Sequence, residues 1–273
     1  MPPSRGRTAR GTGGAAAATA TATAADVAAL MKSLDIGDDA EAAIRKTLVL
    51  LDFNGTLVHK TDSGGTLRGG DPTAAFTVRY NTFYVRPGAR ELVAMLLNDP
   101  RCEVAVYSAK LAKNVAPVVR ALDDHLAAAP FPPVYVSGAA STITSHSSLR
   151  TGMLKLFDQA YTAEDPGGAT RWARKRDLAR VWRSGKCVVG GFGAANTVMV
   201  EADPHKARDC MANTYIVAPY TEGGVVGRTG DGSPAVLGDL GSFLEDEVFT
   251  PMQRAGAEVP ALLAAAAARR RRG

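Results

Sequence analysis

At 273 residues, with 46% hydrophobic and 22% charged side chains, the chain can bury one large core, and its composition excludes a polytopic membrane protein or a disordered polyampholyte. Its formal charge of +5 resides in the ends, and setting aside Arg5, Arg7, Arg10, Arg269, Arg270, Arg271 and Arg272 turns it into −2 for the remainder. The body therefore lacks the basic surface a nucleic-acid-binding domain needs, and polyanion contacts are left to the Arg-rich ends.

Residues 1–25 alternate Arg, Gly, Ala and Thr without large apolar side chains. Such a tract cannot offset the entropy of ordering, so a disordered tail is expected, with a mitochondrial transit peptide as the alternative. One domain is expected over 26–250, opening with helical spacing in ADVAALMKSL, followed by an Ala/Arg-rich tail over 251–273. TLVLLDF, nearly all apolar and ending in Asn-Gly, reads as a central parallel strand that feeds a tight loop. Pro87 precedes a helical pattern through Leu92, Met95 and Leu96, and CEVAVYS is a second buried strand. LAKNVAPVVRALDDHL predicts another helix and PPVYVSG another strand, while 137–168 has no clear pattern. RWARKRDLARVWRS reads as a helix, NTVMVEAD as a buried strand, YIVAPY as a short strand, and LGDLGSFLEDEVF as a closing amphipathic helix. This order predicts an α/β fold, doubly wound around a mostly parallel sheet with helices on both faces.

Three of these strands end in polar residues: Asp52, Ser108, and Glu201 to Asp203. Ligands bind at the carboxyl ends of parallel strands, so the three ends are expected to meet in one crevice. A carboxylate at a strand tip, followed by Gly55 and Thr56 where backbone and hydroxyl can approach an anion, suits nucleophilic attack on a phosphoryl group. Cys102, Cys187 and Cys210 form neither a disulfide framework nor a zinc pattern, and His59, His125, His146 and His205 show no metal-ligand spacing. Trp172 and Trp182 read as packing anchors. No apolar run reaches the roughly 18–20 residues of a membrane span, so an intracellular, soluble protein is expected, its compartment and oligomeric state open.

The ordered run LVLLDFNGTL, YVRPGARELVAML, EVAVYSAKLAKNVAPVV, RKRDLARVW, NTVMVEADPHKA and YIVAPY resembles the FCP-homology, or NLI-interacting-factor-like, branch of the haloacid-dehalogenase (HAD) phosphatases. The resemblance implies little or no cap domain, a Mg²⁺ cofactor, a phosphoprotein substrate or protein partner, and an aspartyl-phosphate intermediate. It implies Asp52 as nucleophile and metal ligand, and the Asn54 carbonyl as a metal contact. Ser108 would bind the phosphoryl group with Gly55 and Thr56, Lys175 or Arg176 would neutralise its charge, and Glu201 or Asp203 would face the metal.

The chain departs from that pattern where the chemistry is most demanding. Asn54 stands where relatives carry the general acid, and an amide cannot exchange that proton, a loss typically of about 10²–10⁴ in rate. Ala202 offers no ligand atom between Glu201 and Asp203, and Arg176 replaces the family lysine with a planar fork. Two readings stay open: a weakened Mg²⁺-dependent phosphoserine/phosphothreonine phosphatase, and an inactive pseudophosphatase that binds a partner within a larger assembly.

Overall fold

A computed structural model of the chain describes residues 44–61, 74–128, 155–166, 174–225, 233 and 235–272. The strand β1 (Thr47–Asp52) lies at the centre of a five-stranded parallel sheet. It is flanked by β5 (Cys102–Tyr107) and β9 (Thr197–Glu201), with β6 (Lys155–Phe157) and β10 (Thr214–Ile216) outside them. Every residue of β1 is buried, as its apolar run requires of a strand covered on both faces.

Strand alternation divides the interior into two layers. Val49, Leu51, Val104, Val106, Val198 and Val200 face one side, where helices α1 (Ala89–Asn98) and α2 (Ala112–Ala128) pack. Leu48, Leu50, Ala105, Tyr107 and Met199 face the other, covered by the short helices α3 (Leu178–Trp182) and α4 (Gly185–Gly190). The sequence-based expectation of a doubly wound α/β fold with a parallel sheet is met.

Directly after the β1 loop the chain forms a small antiparallel sheet of β2 (Val58–Lys60), β3 (Ala75–Val78) and β4 (Asn81–Val85), in the order β2-β4-β3. Its β3–β4 connection is the two-residue turn Arg79-Tyr80, with Arg79 in the left-handed region at φ 56°, a conformation that tight hairpins demand. No sequence pattern predicted this sheet, because its strands are short and only half-buried.

Two expectations are corrected. The predicted helix over 171–184 contains instead the strand β8 (Arg174–Arg176), paired antiparallel with β7 (Thr162–Glu164), and helix begins only at Leu178. The side chain of Asp177 caps it by accepting from the Arg180 N–H at 3.1 Å. Residues 251–272, expected within a tail over 251–273, are also no tail. The closing helix, Ala235–Phe243, runs on through a wider π turn at Leu244–Phe249, and a further helix spans Val259–Arg270. That last helix buries Val259, Leu263 and Ala266 in the core, and Arg270 stacks over Tyr215 and Phe243 with its Cζ at 4.9 and 5.1 Å from the ring centres. The helix expected from Ala25, the strand expected in PPVYVSG and the tail over 1–25 lie outside the described residues. Among the described residues no helix is long and apolar enough to cross a membrane.

Candidate functional site

The convergence read from the sequence is present. Asp52 at the end of β1 is in register with Tyr107 at the end of β5, and Leu51 is in register with Val200, which puts Glu201 one step along beside Asp52. Alternation then decides the chemistry. Asp52 shares the face of Leu48 and Leu50, Tyr107 that of Ala105, and Glu201 that of Met199, so two carboxylates and a phenol point into the same layer. Asp52 is 5% exposed and Glu201 fully buried, so their charges repel unless a cation or a proton intervenes.

Arg176 supplies it. From β8, which crosses this face, its Nη2 donates to Asp52 Oδ1 and its Nε donates to Glu201 Oε2 at 2.6 Å. The guanidinium lies over the Tyr107 ring, 4.6 Å from its centre. The Tyr107 hydroxyl fixes the approach of the strand, accepting from the Asp177 N–H at 2.9 Å and donating to the Tyr161 carbonyl at 2.5 Å. Burial would lower the Arg176 pKa, but Asp52 and Glu201 outweigh it and hold the guanidinium above its ordinary value. Asp52 shows the opposite balance. Burial pushes its carboxyl up, Arg176 pulls it down and Glu201 raises it again, leaving it at about 7.

The other sequence candidates are placed as follows. Lys175, one residue from Arg176 on a three-residue strand, points the other way and pairs with Asp209. Of the two basic candidates the structure brings only Arg176 to Asp52. Asn54 is exposed, and its Oδ1 accepts from the Lys60 N–H at 3.0 Å, which makes it a builder of the turn. Gly55 adopts φ 95°, and a Cβ there would lie 3.3 Å from the Ala202 Cβ, so the loop and the 201–203 segment touch where neither carries a polar side chain. Thr56 is buried with its hydroxyl unpartnered. The Ser108 N–H donates to the Phe157 carbonyl at 2.8 Å, and its hydroxyl accepts from the Lys110 N–H at 3.3 Å. Asp203 caps the helix Pro204–Ala207 by accepting from the His205 N–H at 3.0 Å and pairs with Lys206 at 3.7 Å.

The chemistry of this donor set does not fit a divalent ion. Glu201 spends both oxygens, Oε2 on Arg176 and Oε1 on the N–H groups of Ala202 and Asp203, each at 3.1 Å. Ala202 contributes none, Asp203 is turned to its own helix, and Asp52 keeps only Oδ2 without a partner. Magnesium demands near-octahedral oxygen coordination. A cation there would also meet the guanidinium, at roughly 4 kcal/mol per pair of unit charges about 4 Å apart with an effective dielectric near 20. Among the described residues no group of three or more His, Cys, Asp or Glu side chains is placed to hold a metal.

In front of the strand tips lies a cleft of about 240 Å³ between the small sheet and α2, reached by Asn54 and Ser108. Lys60, Arg79 and Lys110 line it, Phe83 and Val115 form apolar wall, and among the described residues no carboxylate lines it. Sequence reasoning missed Tyr107, the seat of Arg176, and Arg86, a fully buried cation that donates to the Ala218 carbonyl at 2.8 Å and the Gly55 carbonyl at 3.4 Å. Strand parity could have found Tyr107, which sits opposite Asp52 at the end of the next strand. Nothing local marked Arg86.

A search of curated proteins found no match to the sequence. Among solved structures, the chain is similar to the fission yeast RNA polymerase II CTD phosphatase Fcp1 bound to beryllium fluoride, with 12% identity, 80% of this chain and 69% of that chain covered, and a TM-score of 0.45. A second structure, described as Fcp1, an essential RNA polymerase II CTD phosphatase, gives 12% identity, the same 80% and 69% coverage, and a TM-score of 0.47. The family model described as NLI interacting factor-like phosphatase matches residues 46–129, a stretch that includes Asp52 and Ser108 and stops short of Arg176 and Glu201. The chain is thus similar to the NLI interacting factor-like phosphatase family over residues 46–129.

Proposed function

We propose that this protein is a phosphatase-family domain that serves as a binding subunit, a pseudophosphatase whose cleft receives a phosphorylated or otherwise acidic segment of a protein partner. The observation that carries the reading is the buried Arg176 bridge between Asp52 and Glu201. It engages the would-be nucleophile and the would-be metal ligand together. Asn54 cannot supply the proton a leaving alcohol needs, which removes a further large factor from any residual rate. The binding half of the reading is supported by Lys60, Arg79 and Lys110 around a cleft that no carboxylate lines among the described residues.

The alternative is a weakened Mg²⁺-dependent phosphatase working through an aspartyl-phosphate, favoured by Asp52 and Ser108 standing at adjacent strand ends. One assay separates the two. The purified chain and Asp52→Asn are given an aryl phosphate and a phosphoserine peptide, each with Mg²⁺ and with excess chelator. The expected result is no turnover of either substrate above the Asp52→Asn background. Turnover that disappears in Asp52→Asn would overturn the pseudophosphatase reading, and its loss in chelator as well would establish the metal-dependent enzyme.

A further inference from the structure

We infer that the Arg176 guanidinium is the resident cation of this site, doing for Asp52 and Glu201 what a divalent ion does in the family, so that the carboxylate pair is assembled and held without metal. The inference deepens the proposed function and rests on Asp52 and Glu201 being the family's acidic positions.

Four observations carry it. Both carboxylates lie on one face of the sheet at adjacent strand ends, a placement dictated by register, so the fold cannot avoid their mutual repulsion. The guanidinium reaches them through different nitrogens, Nη2 to Asp52 and Nε to Glu201, as a two-point bridge that a lysine ammonium could not span in the same way. Its seat is built for it. Tyr107 stacks beneath, β7 pairs with β8, and the N–H of Asp177, next in the chain, is held by the Tyr107 hydroxyl. Finally, the side-chain atoms left unpartnered in the buried site are Asp52 Oδ2, Thr56 Oγ1 and Arg176 Nη1, so one carboxylate oxygen is left to offer, on a group already paired with a cation.

The test reads metal binding rather than catalysis. The full chain is titrated with Mn²⁺ and followed by electron paramagnetic resonance, and its thermal midpoint is measured with and without Mg²⁺. The expected result is that essentially all Mn²⁺ stays free at millimolar concentration and that about 10 mM Mg²⁺ shifts the midpoint by less than about 1 °C. Site-bound Mn²⁺ in the wild type that competes with Mg²⁺ and is lost in Asp52→Asn overturns the inference. Arg176→Ala removes the internal cation, so its midpoint should fall and Mg²⁺ should recover several degrees of it. A folded Arg176→Ala whose midpoint ignores Mg²⁺ also overturns it. If Arg176→Ala does not fold, Arg176→Lys combined with Ala202→Asp decides: site-bound Mn²⁺ gained by that variant supports the inference, and its absence overturns it. Phosphatase turnover unaffected by chelator, with no bound Mn²⁺, would sink the pseudophosphatase reading while leaving this one standing.

Discussion

Asp52 is the residue on which sequence and structure bear most directly, because its carboxyl is pushed up to about 7 from an ordinary 3.8, first by burial and then by Glu201, against the pull of Arg176. An acid whose folded pKa lies above its unfolded value holds more protons in the folded state. Its ionisation therefore removes stability as pH rises from about 4 to about 7, and the loss is complete above that window. Asp52→Asn leaves one carboxylate, Glu201, balanced against one guanidinium, so the variant should lack this slope. At pH 8 it is expected to be more stable than the wild type, by at most a few kcal/mol on the scale of roughly 1.4 kcal/mol per pKa unit. Denaturant melts of both proteins across that range check this, and an unchanged slope in Asp52→Asn would assign the pH dependence to other groups. Asp52 at its strand tip was legible in the sequence because the four apolar residues Leu48 to Leu51 precede it and Asn-Gly follows soon after. Its protonation was not, because desolvation depends on what covers the tip.

Three residues of β8 show how an element chooses between chemically similar side chains. RWARKR reads as one basic helical run, but the chain is extended over Arg174–Arg176, and a period of two sends Lys175 and Arg176 to opposite sides. Arg176 enters the buried site, whereas Lys175 joins Asp209 at the surface. Lys175→Ala is therefore expected to change stability by about 0–1 kcal/mol, the worth of an exposed pair, and to leave the Asp52-linked pH slope intact. If Lys175→Ala abolished that slope, the assignment of faces on β8 would be wrong. The helical reading failed because three extended residues are too few to display a period, and because the partner that makes them a strand, β7, lies ten to fourteen residues upstream.

The whole molecule is closed by its far end. The helix Val259–Arg270 is half alanine and leads into a run of four arginines, Arg269 to Arg272, a composition that reads as a tail, yet Val259, Leu263 and Ala266 complete the core on the α1 and α2 side of the sheet. Two surface links reinforce it, Arg269 with Glu247 and Arg270 with the Tyr215 hydroxyl at 2.7 Å. Leu263→Ala should accordingly cost ~2–4 kcal/mol in an equilibrium melt, as truncation of a buried leucine does, whereas a loss below ~0.5 kcal/mol would mean the helix is not part of the cooperative unit. Charge bookkeeping changes with it, since Arg269 and Arg270 are engaged in the fold and are no longer open to a polyanion in the way a free tail is.

From the sequence alone came the parallel sheet, its central strand, the strands β5, β9 and β10, and the meeting of Asp52, Ser108 and the 201–203 segment at one end. Those features follow from apolar runs and their polar termini, which are local and additive along the chain. The Arg176 bridge between Asp52 and Glu201, the seat offered by Tyr107, the small sheet that walls the cleft and the docking of the last helix were decided only in three dimensions. Each depends on which face a side chain takes and on what distant segment covers it, and a short strand or an alanine-rich helix carries no periodic signal strong enough to fix either.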